Sequence, residues 1–238
     1  MVVLALAVPA ALAVAQTYPA RPVRLVVPYP AGGPLDEVAR AFGQRLSETW
    51  GQPLVVENRG GAGGSVGADV VAKSAPDGYT LLLGNAGPIT VNPNLRRDLP
   101  YNPQRDLAPV TQIVAAPMVL VVHPSLPVKS VRELTVLAKA NPGKLNYASA
   151  GIGNLQHLAM ESLQSMMGIF TRAGTPPEVI AKLHMDFART GENREIRENL
   201  AKRGAQFVVG GPEAMAKIVR EENALYAKVI QSAKIAAE

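Results

Sequence analysis

The residues of this 238-residue sequence that could do chemistry lie in three glycine-rich turns. The first turn, residues 30–34 (PAGGP), separates a short apolar run from a segment with helical periodicity. Glycine lets a ligand approach the backbone closely, and Pro34 suits the first position of a helix because its missing N–H would be unpaired there. The free amides of a helix N-terminus, with the helix dipole behind them, favour a carboxylate or a phosphate. A second interpretation stays open, in which these glycines only turn the chain.

The order of strand, glycine turn and helix occurs twice more. Residues 58–65 (NRGGAGGS) follow a predicted strand, 53–57, and precede a predicted helix, 66–73. Residues 149–154 (SAGIGN) follow a predicted strand, 145–149, and precede a helix predicted to end near Met167. The first and third turns lie in different halves of the chain, so two anion sites could face each other across a cleft.

Other chemistries have weaker support in the sequence. No Gly-Lys-Ser/Thr follows any of the turns, so nucleotide binding is not predicted. His157 and Glu161 could share a metal on one helix face, but no third ligand is evident, and we predict no metal or other cofactor. Ser149 and His157 leave an α/β hydrolase as the alternative function, although Ser149 lacks the first glycine of a nucleophile elbow.

Alternating elements should position the first turn. Predicted strands 25–28, 53–57 and 79–83 alternate with two helices, which indicates an α/β fold whose parallel sheet binds ligands at the carboxyl ends of its strands. The first helix should end before Gly51. Asp36 and Arg40 are predicted to form a solvated ion pair on this helix. Its buried face should carry Leu35, Val38, Phe42 and Leu46.

The rest of the chain is predicted to contain strands, connections and four more helices. Residues 85–109 should form a connection, residues 110–122 one or two strands and residues 206–209 a strand. Capping boxes Ser130-x-x-Glu133 and Thr175-x-x-Glu178 each predict a helix start. A further helix is predicted at 193–203. The helix beginning near Pro212 should bury Met215, Ile218, Leu225 and Val229.

Composition limits the class of protein. The hydrophobic content of 47% supports a large core, and the absence of cysteine excludes disulfides and thiolate metal sites. The net charge of +5 is dispersed among acidic residues, so no nucleic-acid partner is predicted. Residues 1–15 form an apolar run ending in Ala-Val-Ala, which is typical of a secretory signal peptide and predicts a periplasmic location.

Several segments resemble one protein family over nearly the whole mature chain. They include VPYPAGGPLDEVAR, VVENRGGAGGSVGADVVAKSAPDGYTLLLGN, VNPNLRRDLPYNPQRDLAPVTQI and AGTPPEVIAKL. The sequence is similar to the extracytoplasmic solute-binding receptors of tripartite tricarboxylate transporters, the Bug family. This resemblance implies a two-lobed periplasmic-binding-protein fold of the second type, which closes over an organic carboxylate, and a membrane permease as partner. It implies no catalysis.

The resemblance also implies the residues that bind the ligand. In the first lobe they are Tyr29, Pro30, Gly32, Gly33 and Asp36, with Asn85 and Ala86 after the third strand. In the second lobe they are Ser149, Gly151, Gly153, Asn154 and His157. Two residues depart from the family pattern: Leu35 replaces a small polar residue and Gly60 replaces a proline.

A larger departure is an absence. Relatives carry several dozen more residues between the helix predicted to end near Gly168 and the AGTPPEV segment, which indicates an internal deletion in the second lobe. The expected organisation is a signal peptide (1–15), a first lobe (16–115 with 170–238) and a remnant of the second lobe (116–169). We expect a monomer if the lobes are intact and self-association through the shortened lobe if they are not.

Overall fold

The computed structural model describes residues 18–117, 121–142, 144–145, 164–202 and 205–232. The strands are β1 (Val23–Val27), β2 (Leu54–Asn58), β3 (Thr80–Asn85), β4 (Leu107–Pro117), β5 (Gln164–Arg172) and β6 (Gln206–Gly210). The helices are α1 (Pro34–Trp50), α2 (Ser65–Ala72), α3 (Asn92–Leu95), α4 (Pro103–Asp106), α5 (Val131–Ala140), α6 (Pro177–Gly191), α7 (Arg194–Lys202) and α8 (Pro212–Ser232). A short 3-10 helix (Ala62–Gly64) precedes α2, and a π-helix (Gly87–Val91) precedes α3. The strands form one mixed sheet in the order β2-β1-β3-β5-β4-β6.

The first half of the sheet is parallel, as the alternating sequence pattern predicts. Strand β1 pairs in parallel with β2 on one side and β3 on the other. Helix α1 buries the predicted face, and it ends where Gly51 adopts the left-handed conformation with φ 62°. The parallel arrangement brings the carboxyl ends of the three strands to one edge of the sheet.

The second half of the sheet is antiparallel and includes a strand that the sequence analysis assigned wrongly. Residues 164–167 were predicted to end a helix, but they begin β5, which pairs with both β3 and β4. Ile169 packs in the cluster beneath α1, and Phe170 packs in the cluster beneath α2. A strand buried on both faces is apolar without alternation, so its sequence does not distinguish it from a buried helix. Residues 164–169 therefore lie in the sheet of the first lobe and not in a separate remnant.

Smaller differences concern caps, connections and one helix face. Residues 85–109, predicted to form a connection, contain the π-helix, α3 and α4. Thr175 does not cap α6, since its hydroxyl donates to the Arg172 carbonyl at 2.7 Å and Pro176 is the N-cap residue. Leu225 is 40% exposed, and the side chain of Val229 is outside the described residues. The buried stripe of α8 is instead Met215, Val219, Tyr226 and Ile230.

Helices cover both faces of the sheet. Helix α1 packs with α6, and the Phe42 and Phe187 rings stack there with centroids 5.8 Å apart. Helices α2 and α8 contribute Val71, Met215 and Val219 to the core on the other face. None of the described helices has the length and hydropathy that a membrane span requires.

Helix α5 forms as predicted but packs against nothing that buries its residues. The Ser130 hydroxyl accepts a hydrogen bond from the Glu133 amide at 3.2 Å, which caps the helix. The Glu133 carboxylate accepts from the Lys129 amide at 2.7 Å and not from Ser130, so the capping box is only half formed. Not one of the ten residues of α5 is buried among the described parts of the chain.

Candidate functional site

The loops that follow β1, β2 and β3 meet at the carboxyl edge of the parallel strands. The Tyr29 hydroxyl, from the first loop, donates a hydrogen bond of 2.9 Å to Asn85 Oδ1 at the end of β3. Burial raises the pKa of Tyr29, so its hydroxyl stays protonated and keeps donating at neutral pH. This bond joins two of the predicted ligand-binding positions across the edge.

Two glycines make room for the Tyr29 hydroxyl. A Cβ atom on Gly87 would lie 2.8 Å from that oxygen, and a Cβ on Gly64 would lie 3.2 Å from it. Gly64 also has a φ of 94°, which other residues seldom adopt. The second glycine turn therefore shapes the site by packing against Tyr29.

Among the described residues, the N-terminus of α1 is uncovered. Gly33 is the N-cap residue, Pro34 is the first helical residue, and no described side chain caps the helix. Gly32 has a φ of 82°, and no described atom lies within 4 Å of the place where its Cβ would be. Because the first-turn amides of a helix have no intrahelical acceptors, this end presents backbone donors to whatever occupies the edge.

Asp36 holds the first glycine turn through its side chain. Its carboxylate Oδ2 accepts hydrogen bonds of 2.9 Å from the Gly32 amide and 2.9 Å from Arg40 Nε. The hydrogen bond from Arg40 is the main cause that lowers the pKa of Asp36 to about 2, so it is ionised at neutral pH. The predicted solvated pair is wrong for Asp36, which is 3% exposed, while the Arg40 side chain is 56% exposed. The carboxylate is buried because it bonds inward to the turn.

Arg40 and Asn58 extend this contact to a second loop. Arg40 Nη2 donates to Asn58 Oδ1 at 3.2 Å, and Asn58 Nδ2 donates to the Tyr29 carbonyl at 3.1 Å. We call Asp36, Arg40 and Asn58 the loop clamp. The sequence analysis missed Asn58, although an amide side chain directly after the predicted strand 53–57 was a signal for it.

Asn92 holds the second glycine turn and was also missed. Its Nδ2 lies 3.1 Å from the Gly63 carbonyl, 3.3 Å from the Ala62 carbonyl and 2.8 Å from Ser65 Oγ. Ala62 has a φ of 47°, an unusual conformation for a residue with a side chain. One buried amide thus fixes a turn whose backbone is strained.

The structure brings together the predicted residues of the first lobe only. At the carboxyl edge lie Tyr29, Pro30, Gly32, Gly33, Asp36, Asn85 and Ala86. The five predicted positions of the second lobe are outside the described residues: Ser149, Gly151, Gly153, Asn154 and His157. Within the described ranges, no three His, Asp or Glu side chains gather as a metal site would require.

Two cavities lie away from this edge. One of about 220 Å³ is lined by residues that include Tyr101, Asn94 and Asn223. Another of about 410 Å³ is lined by residues that include Arg105 and Arg172. The described residues of the candidate site form one wall, since they come from one side of the sheet edge.

This chain is similar to one protein family and to several curated proteins. The profile of the tripartite tricarboxylate transporter family receptor matches residues 38–171, which is more than half of the chain. Protein BugT of Bordetella pertussis is 44% identical over 155 residues, covering 65% of this chain and 48% of BugT. The chain spans about half the length of the curated relatives it matches.

Solved structures match the fold over more of the chain. A structure of an R. palustris protein with adipate has a TM-score of 0.80 and 27% identity, covering 92% of this chain and 99% of that one. MatC from Rhodopseudomonas palustris, with bound malate, has a TM-score of 0.75 and 26% identity, covering 90% and 100%. The α/β fold is that of the periplasmic solute-binding proteins of this type. The profile match and these structures agree that the chain belongs to the tripartite tricarboxylate transporter receptor family.

Proposed function

We propose that this chain is an extracytoplasmic solute-binding receptor for small organic carboxylates and serves a tripartite tricarboxylate transporter. The observation that carries the proposal is the N-terminus of α1 beside the loop clamp, where no side chain caps the helix and no described atom lies within 4 Å of a Cβ placed on Gly32. A carboxylate at this position would accept hydrogen bonds from the first-turn amides and would interact favourably with the helix dipole. The adipate and malate in the two neighbour structures support this ligand class.

The same assignment places the protein in the periplasm. Residues 1–15 would direct export as a signal peptide, and the membrane permease components of the transporter would receive the ligand. Binding needs no catalytic group. The alternative of a hydrolase using Ser149 and His157 is less favoured because the matching family is a receptor family. Both of these residues lie outside the described residues.

We further propose that the affinity of this chain is weak, because its second lobe is shortened. A receptor of this fold holds its ligand between two walls, and a shortened second lobe would supply a smaller second wall. The coverage of about half of BugT supports a shortened chain. Strand β5 runs without interruption from Gln164 to Arg172, across the proposed deletion point after about Gly168.

The test is an NMR titration of the labelled protein with adipate and with malate. We expect amide shift changes at residues 29–36 and at Asn85, with a dissociation constant near 10 mM, roughly −3 kcal/mol. Gly32→Val should abolish these changes, because valine disfavours the positive φ and covers the open amides.

Gly51→Val is the matched control. Gly51 lies at the other end of α1, also has a positive φ, and also has nothing within 4 Å of its Cβ position. This variant should strain the backbone similarly and leave the titration unchanged. Shift changes spread over the whole surface, or changes that persist in Gly32→Val, would refute the proposed site.

A further inference from the structure

A half-buried carboxyl group lies next to the π-helix that follows Ala86, one of the proposed site residues. Glu222 of α8 faces the π-helix, and its Oε2 accepts a hydrogen bond of 3.2 Å from the Thr90 hydroxyl. The described elements that pack most extensively against α8 are the π-helix, α3, β4 and β6, and none of these four carries an ionisable side chain. Met215, nearly two turns before Glu222, also packs against β5 and α2. On α8 itself, Glu221 pairs with Lys217 at 3.7 Å, and the Tyr226 phenol is buried one turn further on.

Thr90 has one hydroxyl proton and two acceptors for it. Its Oγ lies 3.0 Å from the Ala86 carbonyl oxygen and 3.2 Å from Glu222 Oε2. Thr90 is fully buried, so water does not supply a substitute bond. The protonation state of the Glu222 carboxyl therefore decides which of the two acceptors receives the hydrogen bond from the Thr90 hydroxyl.

We propose that Glu222 is a positioning residue for the loop after β3, and that it acts through Thr90 on the Ala86 carbonyl. When Glu222 is protonated, its own O–H donates to Thr90 Oγ, and the Thr90 proton is directed to Ala86. When Glu222 is ionised, its carboxylate accepts the hydrogen bond from the Thr90 hydroxyl, and the Ala86 carbonyl loses that bond. The relevance of this exchange to ligand binding rests on the proposed function, because Ala86 is one of the proposed site residues.

This exchange of the Thr90 hydrogen bond occurs within the pH range in which proteins function. Burial is the main cause that raises the pKa of Glu222 to about 7, and the Thr90 hydrogen bond opposes it. Ala86 directly follows Asn85, which accepts the Tyr29 hydroxyl, and it precedes a π-helix, a type of turn that is frequent at functional sites. A change in the hydrogen bonding of the Ala86 carbonyl should therefore alter the position of Asn85 and its contact with Tyr29.

The test is an NMR pH titration of the ligand-free protein between pH 5 and pH 9, following the Ala86 carbonyl carbon and the Gly87 amide nitrogen. Both should titrate with the midpoint of the Glu222 side-chain carboxyl carbon. Glu222→Gln should remove this step, and Glu221→Gln should keep it, because Glu221 is the exposed neighbour on the same helix. A purely structural role for Glu222 would not produce a shared midpoint.

Two variants at Thr90 test the relay. Thr90→Val removes the hydroxyl with little change in shape, so Glu222 should still titrate while Ala86 no longer follows it. Thr90→Ser restores the hydroxyl and should restore the coupling. An Ala86 carbon that does not move with Glu222, or that still moves in Thr90→Val, would overturn the proposal. Neither result depends on whether the chain binds a carboxylate, so this test and that of the proposed function fail separately.

Discussion

The carboxyl edge of the parallel strands and helix α5 show two ways in which a segment of this chain is held. The edge is held by packing and by buried polar contacts, since Tyr29, Asp36 and Asn92 each bind a loop from within. Helix α5 is held by its own cap, and its residues Val131 and Val136 are 53% and 63% exposed. Local signals are enough to form a helix, but only tertiary contacts form a site.

The two regions also differ in how much of their apolar surface the described chain covers. The edge has both its sheet and its covering helices, whereas α5 presents apolar side chains that nothing in the described chain covers. Uncovered apolar surface of this kind favours association. We therefore expect self-association, if it occurs, to involve α5 and not the carboxyl edge.

The largest expected effect comes from a core substitution compared with its counterpart in α5. Leu46→Ala should reduce the free energy of unfolding by about 2–5 kcal/mol, because Leu46 is fully buried. Leu137→Ala, at a half-buried position of α5, should cost less than about 1 kcal/mol. Urea unfolding of both variants measures this, and equal losses would show that α5 packs as firmly as the core.

The next effect is a pH dependence of the free energy of unfolding, which arises from Glu222 near the carboxyl edge and not from α5. The pKa of Glu222 is raised from 4.5 to about 7 on folding, so its stabilising contribution is complete below pH 4.5 and is lost as the pH rises through 7. Glu222→Gln should be about 2–3 kcal/mol more stable than the wild type at pH 9 and similar at pH 4. Urea unfolding at the two pH values measures the difference, and a gain independent of pH would contradict the burial of this carboxyl.

A smaller effect tests the loop clamp. Asp36→Ala leaves the Gly32 amide without its acceptor and should cost about 1–3 kcal/mol. Hydrogen exchange at Gly32 should become faster in this variant. Arg40→Ala is the milder comparison, because the Arg40 side chain is half exposed and the Gly32 contact survives. Unchanged exchange at Gly32 in Asp36→Ala would mean that the carboxylate does not hold the turn.

The smallest global effect is expected in α5. Ser130→Ala removes the cap and should weaken the helix locally by about 1 kcal/mol. Because α5 contributes little to the core, the melting temperature should stay the same while hydrogen exchange at residues 133–135 becomes faster. A lower melting temperature would show that α5 is coupled to the sheet.

Patterns that repeat along the chain were sufficient to predict much of the fold. The buried face of α1 and the parallel pairing of β1 to β3 follow from spacing and alternation, and the Gly51 stop follows from backbone conformation. Strand β5 was not predictable in this way. Its residues between Met167 and Phe170 are buried on both faces, so only the pairing with β3 and β4 determines their conformation.

The sequence was sufficient to predict the backbone turns of the candidate site, but not the side chains that hold those turns. The glycine turns indicate where a ligand can approach the backbone, so Gly32 and Gly33 could be predicted as site residues from the sequence. Asn58 and Asn92 support those turns, and Glu222 bonds to the π-helix after β3. They lie 18 to 132 residues away from the groups they bond, and no local pattern identifies such distant partners. The burial of Asp36 was missed for the same reason, because a helix-surface pair and a buried clamp share one spacing.

The central claim is that this chain keeps one wall of a carboxylate receptor and binds its ligand weakly because the second lobe is shortened. The most direct test is the melting temperature of the purified chain with adipate, malate, citrate, glutamate or aspartate at a few millimolar. We predict no shift with any of them, since a dissociation constant near 10 mM gives a stabilisation well below 1 kcal/mol. A clear upward shift with micromolar affinity, roughly −8 kcal/mol, would contradict the account and show that the shortened lobe still closes over its ligand.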